Sequence, residues 1–124
     1  MAVQRINPAS LEQSPYYSQA TLVPPGASML YIGGQNAVTA AGAWIGLGDE
    51  AAQTAQAMKN VMACLEAVGA GVADLVSLEI KVVEGVDLAL CQRAASGYLD
   101  LNSLPLISVS IVGQLARRGA LVEI

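Results

Sequence analysis

Residues 104–124 read LPLISVSIVGQLARRGALVEI. Ile107, Val109 and Ile111 alternate with serines, which is the period of a strand with one apolar face. Leu121, Val122 and Ile124 form a second apolar run, predicted as a strand over 120–124. A basic loop ending in Gly119 joins the two. Neither strand is explained alone, because each leaves backbone groups that need a neighbouring strand. The rest of the chain has to supply that sheet and cover it.

Working back from this stretch, residues 75–83 alternate as cleanly. Val76, Leu78, Ile80 and Val82 share one face, and Ser77, Glu79 and Lys81 the other. A helix over about 87–99 is predicted between these two strands, with Asp87 as N-cap and Leu88, Cys91, Ala95, Tyr98 and Leu99 facing inward. Upstream, Asp49 caps a longer helix whose Met58, Met62, Leu65 and Val68 form one stripe, closed by Gly69. Toward the N-terminus, strands are predicted over 17–22 and 29–32, turned at Pro24-Pro25-Gly26, with a third short one around Ala43, Trp44 and Ile45. Residues 1–14 read as an arm or edge strand. The order β-β-(β)-α-β-α-β-β places two helices on one face of a mixed sheet, an α+β architecture in a single domain spanning 1–124.

Composition narrows the function. Charged residues make up 13% of the 124, against roughly 25% in ordinary globular chains. Residues 13–48 carry no charge at all, yet they hold three prolines and six glycines. That is no membrane span, which needs about 20 continuous apolar residues. Such a segment suits burial against further copies of the chain. The net charge of −4 with six scattered basic residues offers no phosphate-binding face, so no nucleic-acid partner is expected. With no histidine present, His-based triads and Cys/His zinc sites are excluded. No signal peptide is visible in MAVQRINPAS, and a cytoplasmic location is the expectation.

Several stretches carry possible chemistry. Gly46-Leu47-Gly48-Asp49-Glu50-Ala51 imitates a dinucleotide fingerprint, but Asp49 and Glu50 sit where the phosphates would go, so it reads as a turn and cap. Cys64 and Cys91 read as small core hydrophobes. Glu123, within an apolar strand, is either a perturbed carboxyl able to orient water or a group turned to solvent or to a neighbouring subunit's arginine. Tyr16 and Tyr17 offer either cleft-wall hydroxyls or packing at an interface. Arg117 and Arg118 are either solvated turn charges or contacts to a ligand or interface.

PYYSQA (15–20), YIGGQ (31–35), the helix EAAQTAQAMKNVMACLEAVGAG (50–71) and RRGALVEI (117–124) occur in this order. Together they resemble the RidA (YjgF) family of reactive-intermediate deaminases over nearly the whole chain. The resemblance implies a chorismate-mutase-like α+β fold and a homotrimer whose sheets enclose a barrel, with small-molecule clefts between subunits. It implies hydrolysis of enamine or imine acids to keto acids and ammonia, without metal or cofactor. It also implies roles for Tyr17, Gly34 and Glu123 in that cleft, with Glu123 orienting the attacking water, and it places Gln92 where the family has an asparagine. The family's carboxylate-binding arginine stands two residues after a proline; after Pro105 that position holds Ile107. A cleft floored by Ile107, Val109 and Tyr17 suits a less anionic, more apolar ligand. Three readings stay open: a 2-iminobutanoate/2-iminopropanoate deaminase-type hydrolase with altered preference, a non-catalytic binding trimer, and, less favoured, a ribonuclease or translation inhibitor.

Overall fold

The computed structural model describes residues 3–124. Strand β3 (Ser77–Val83) lies at the centre of a three-stranded sheet, flanked by β4 (Leu106–Val112) and β5 (Val122–Glu123). β3 pairs with β4 in parallel, Leu78 opposite Ile107 and Ile80 opposite Val109, and with β5 antiparallel, Lys81 opposite Glu123. A parallel neighbour requires a crossover, and helix α2 (Leu88–Ser96) supplies it. The sheet is therefore mixed, as the order of strands and helices predicts.

Helix α1 (Glu50–Glu66) starts where Asp49 accepts a hydrogen bond from the Ala52 N–H. It ends in a Schellman arrangement: Gly69, at φ 71°, donates to the Glu66 carbonyl and Ala70 to that of Leu65. Met58, Val61 and Leu65 of α1 and Cys91 and Ala95 of α2 pack on Leu78, Ile80, Val82, Val122 and Ile124. Val68 lies past the helix end and is exposed, so the predicted stripe closes at Leu65. On α2, Asp87 caps as expected, by accepting from Ala89 and Leu90. The helix stops at Ser96, before the expected 99, and Leu88 faces solvent rather than the core.

The N-terminal third departs further from the sequence pattern. β1 (Gln4–Ile6) and β2 (Ala20–Leu22) form a separate antiparallel ribbon. The predicted strand over 29–32 is not paired into either sheet; Met29, Leu30 and Tyr31 are exposed. Around Ala43–Ile45 only an isolated bridge forms, Val38 to Trp44. Apolar composition makes these segments look like strands, but it does not specify a pairing partner, and neither segment forms a ladder here. Residues 33–46 are instead held by side-chain amides of α1. Asn60 donates to the carbonyls of Asn36 and Val38. Gln53, fully buried, donates to those of Gly46 and Gly119 and accepts from the Leu121 N–H.

Candidate functional site

Two cavities flank β3. The smaller, about 330 Å³, is lined by Tyr17, Ser18, Gln19, Ser77, Glu79, Ile107 and Ser108, among others. Its wall is fixed by the backbone: the Ser18 N–H donates to the Pro105 carbonyl at 3.1 Å, tying residues 17–19 to the start of β4. Asn7 holds the same segment, accepting from the Gln19 N–H at 2.8 Å and donating to Ser18 Oγ. Ile107 is half-buried against the core cluster, on the face of the sheet that carries Leu78.

The larger cavity, about 1030 Å³, is lined by Gly34, Glu123, Lys81, Glu79, Asp74 and Tyr31, with Val61, Leu65 and Leu75 on its apolar side. Gly34 and Glu123 touch. A Cβ built on Gly34 would lie 2.7 Å from Glu123 Cδ and 2.8 Å from Oε2. A side chain at position 34 would therefore displace the Glu123 carboxylate; the constraint is this close approach and not the backbone angle. Glu123 shares the open face of the sheet with its cross-strand partner Lys81. Gln35 and Ile124 exchange both backbone hydrogen bonds, at 2.7 and 3.1 Å, which holds Gly34 in place.

Of the residues predicted from sequence, Tyr17 and Ile107 therefore share one cleft, and Gly34 and Glu123 another. Gln92 is exposed on α2 and Val109 is 51% exposed on β4; neither lines either cavity. Cys91 is buried beside Thr54, and burial pushes its thiol up, away from the thiolate a nucleophile needs. Arg117 stacks over the Trp44 ring, 6.0 Å from its centroid, instead of entering a cavity. Among the described residues, no three His, Cys, Asp or Glu side chains are grouped to hold a metal, and no helix is long and apolar enough to cross a membrane.

Sequence reasoning missed Gln53, Asn60 and Asn7. The signal for the first two was present: Gln53 and Asn60 are seven residues apart on the inner face of α1, where an amide must be satisfied. Arg5 was also missed. It donates to the Leu75 carbonyl and to Thr21 Oγ1, clamping β1 to the chain entering β3.

The fold and the two clefts define a two-layer α+β protein whose candidate site residues lie along one small mixed sheet. The chain belongs to the endoribonuclease L-PSP family, the YjgF/RidA family, whose model matches residues 8–124. It is similar to a Rid-family protein of unknown function from Yersinia pestis, with 32% identity, a TM-score of 0.85, and 99% of this chain and 95% of that one covered. A YjgF/YER057c/UK114-family structure from Mycobacterium tuberculosis shares 25% identity over 86% of this chain and 80% of that one, with a TM-score of 0.63. A candidate endoribonuclease from Thermotoga maritima has the same fold at 24% identity, a TM-score of 0.70, and 90% and 89% coverage. None of the curated proteins matches the chain.

Proposed function

We propose that the protein is a cofactor-free hydrolase of reactive imines, working as a homotrimer in clefts built from two protomers. The observation that carries this is the division of the site. Within one chain, Tyr17 and Ile107 lie on one side of β3 and Gly34 and Glu123 on the other. Members of this family are commonly homotrimers, and packing protomers side by side brings one protomer's β4 edge to the next one's Glu123. The exposed row of Val109 and Ile111 on that edge supplies apolar area for the contact.

In the assembled cleft, Glu123 accepts a hydrogen bond from water and directs its oxygen at the imine carbon. Tyr17 donates to the substrate. Water adds across C=N, and the adduct collapses to C=O with release of ammonia. The substrate is neutral or cationic. Ile107 offers no guanidinium, and the charged side chains lining the two cavities are Asp74, Glu79 and Glu123 against Lys81 alone. An anionic acid meets net negative charge there, whereas an iminium is favoured. The same charge opposes a phosphodiester, so the ribonuclease reading has less support.

The test is ammonia release from acidic imines generated in situ by an amino-acid oxidase and from neutral imines generated by an amine oxidase, together with the solution mass. The proposal requires a trimer and faster turnover of the neutral imine. A trimer that binds such molecules without releasing ammonia would instead be a binding protein of the same fold, the reading that Ile107 favours if turnover is absent.

A further inference from the structure

Gly34 and Glu123 are each anchored to the same helix. Gln53 accepts from the Leu121 N–H at 2.8 Å and donates to the Gly119 carbonyl at 3.0 Å, two and four residues before Glu123. Asn60 donates to the carbonyls of Asn36 and Val38 at 2.9 and 3.1 Å, two and four residues after Gly34. The two amides are seven residues apart on α1, which puts them on one helix face two turns apart. α1 is thus a common base for both sides of the Gly34–Glu123 contact.

Asn60 has no freedom in this arrangement. Its two Nδ2 hydrogens go to the two carbonyls, and its Oδ1 accepts from Gln56 Nε2 at 3.0 Å. A reversed amide would set Oδ1 against both carbonyl oxygens, so its partners fix its orientation. The line of bonds continues: Asn36, held by Asn60, donates through its own Nδ2 to the Val122 carbonyl at 3.4 Å. It runs from α1 through the loop to the residue beside Glu123. At its end the tolerance is small. A Cβ on Gly34 would lie 2.7 Å from Glu123 Cδ, so the Gly34 backbone is the wall on which the carboxyl rests. A slight shift of 34–36 turns that carboxyl or frees it.

We propose that Asn60, oriented by Gln56, is a positioning residue. It sets where Gly34 stands against Glu123, and so the direction in which the carboxylate presents its oxygens to water. The chemical consequence rests on the hydrolase reading; the contact itself does not. A group held this way acts on the step that directs water, not on substrate capture, so its loss belongs in kcat.

Asn60→Asp keeps the shape and sets a carboxylate oxygen against the two carbonyls, removing both donated bonds. The nuclear Overhauser contact between Gly34 Hα and Glu123 Hγ reads the position without substrate, and kcat and KM for a neutral imine read its consequence. The contact should be lost. The value of kcat should fall roughly ten- to hundredfold, while KM stays within about twofold. Asn60→Asp should add no further loss to the residual rate of Glu123→Ala, because it acts through that carboxylate. Gln56→Ala leaves Asn60 its donors but not its orientation. It should show both effects more weakly, and it decides alone if Asn60→Asp does not fold. Cys91→Ala, a core truncation on α2, should lower the melting temperature and change neither the contact nor kcat. An Overhauser contact of unchanged intensity in the folded variants, or rate losses that multiply with Glu123→Ala, would overturn the proposal. So would equal effects from Cys91→Ala, since lost stability would then explain them. Wild-type protein that releases no ammonia would defeat the hydrolase reading instead, and the Overhauser contact would then decide the positioning role by itself.

Discussion

Ile107 and Glu123 lie on opposite faces of the same three-stranded sheet. Ile107 pairs with Leu78 on the helix-covered face, and Glu123 pairs with Lys81 on the open one. They are also two strands apart. No side-chain movement brings them to one ligand within a chain, so a site using both has to be completed by a neighbour.

Restoring the missing cation tests the specificity argument. In Ile107→Arg, the aliphatic stem can keep the half-buried position while the guanidinium reaches the cleft. A charge-assisted hydrogen bond is worth about 1.5–3 kcal/mol. The expected outcome is a rise of roughly ten- to hundredfold in kcat/KM for acidic imines, with little change for neutral ones. Steady-state ammonia assays on both substrates check it.

Gly34→Ala separates position from stability. The new methyl group strikes the Glu123 carboxyl at 2.7 Å, but a flexible carboxylate arm can swing away. Stability should change by less than about 1 kcal/mol, while hydrolysis falls to the level of Glu123→Ala. Thermal melts and turnover of the two variants, side by side, decide this.

Gln53→Met keeps the volume and removes three hydrogen bonds. It leaves the Gly46 and Gly119 carbonyls and the Leu121 N–H without their buried partner. Each loss costs about 1 kcal/mol or more, so roughly 3 kcal/mol in total and a drop of about 10 °C in Tm are expected. Denaturant and thermal unfolding measure it.

The cysteines should differ in reactivity. Cys64 is half-buried and Cys91 is buried with its thiol pushed up by desolvation. At about pH 8 a maleimide should label Cys64 first, and Cys91 only as fast as the chain opens. Mass spectrometry of a labelling time course follows both.

The sheet and helices were legible because their periods are clean. Leu78, Ile80 and Val82 alternate without interruption, and Asp49 and Asp87 cap where polar residues meet apolar stripes. Met29–Ile32 misled because four apolar residues look alike whether they pair or line a cavity; nothing local encodes the missing neighbour. The site was half legible. Glu123 stood out as a lone carboxylate in an apolar strand, and Ile107 through the resemblance. That they face opposite ways is a property of register, Leu78 with Ile107 and Lys81 with Glu123, and register is set by contacts remote in sequence.

The direct test is complementation between two inactive variants, Tyr17→Phe and Glu123→Ala, unfolded together in equal amounts and refolded. If each cleft takes Tyr17 from one protomer and Glu123 from the next, about a quarter of the clefts in a randomly mixed trimer contain both native residues. The account predicts that imine hydrolysis returns to about that fraction of wild type. Activity that stays at the level of the separate variants would contradict it, because each cleft would then be drawn from a single chain.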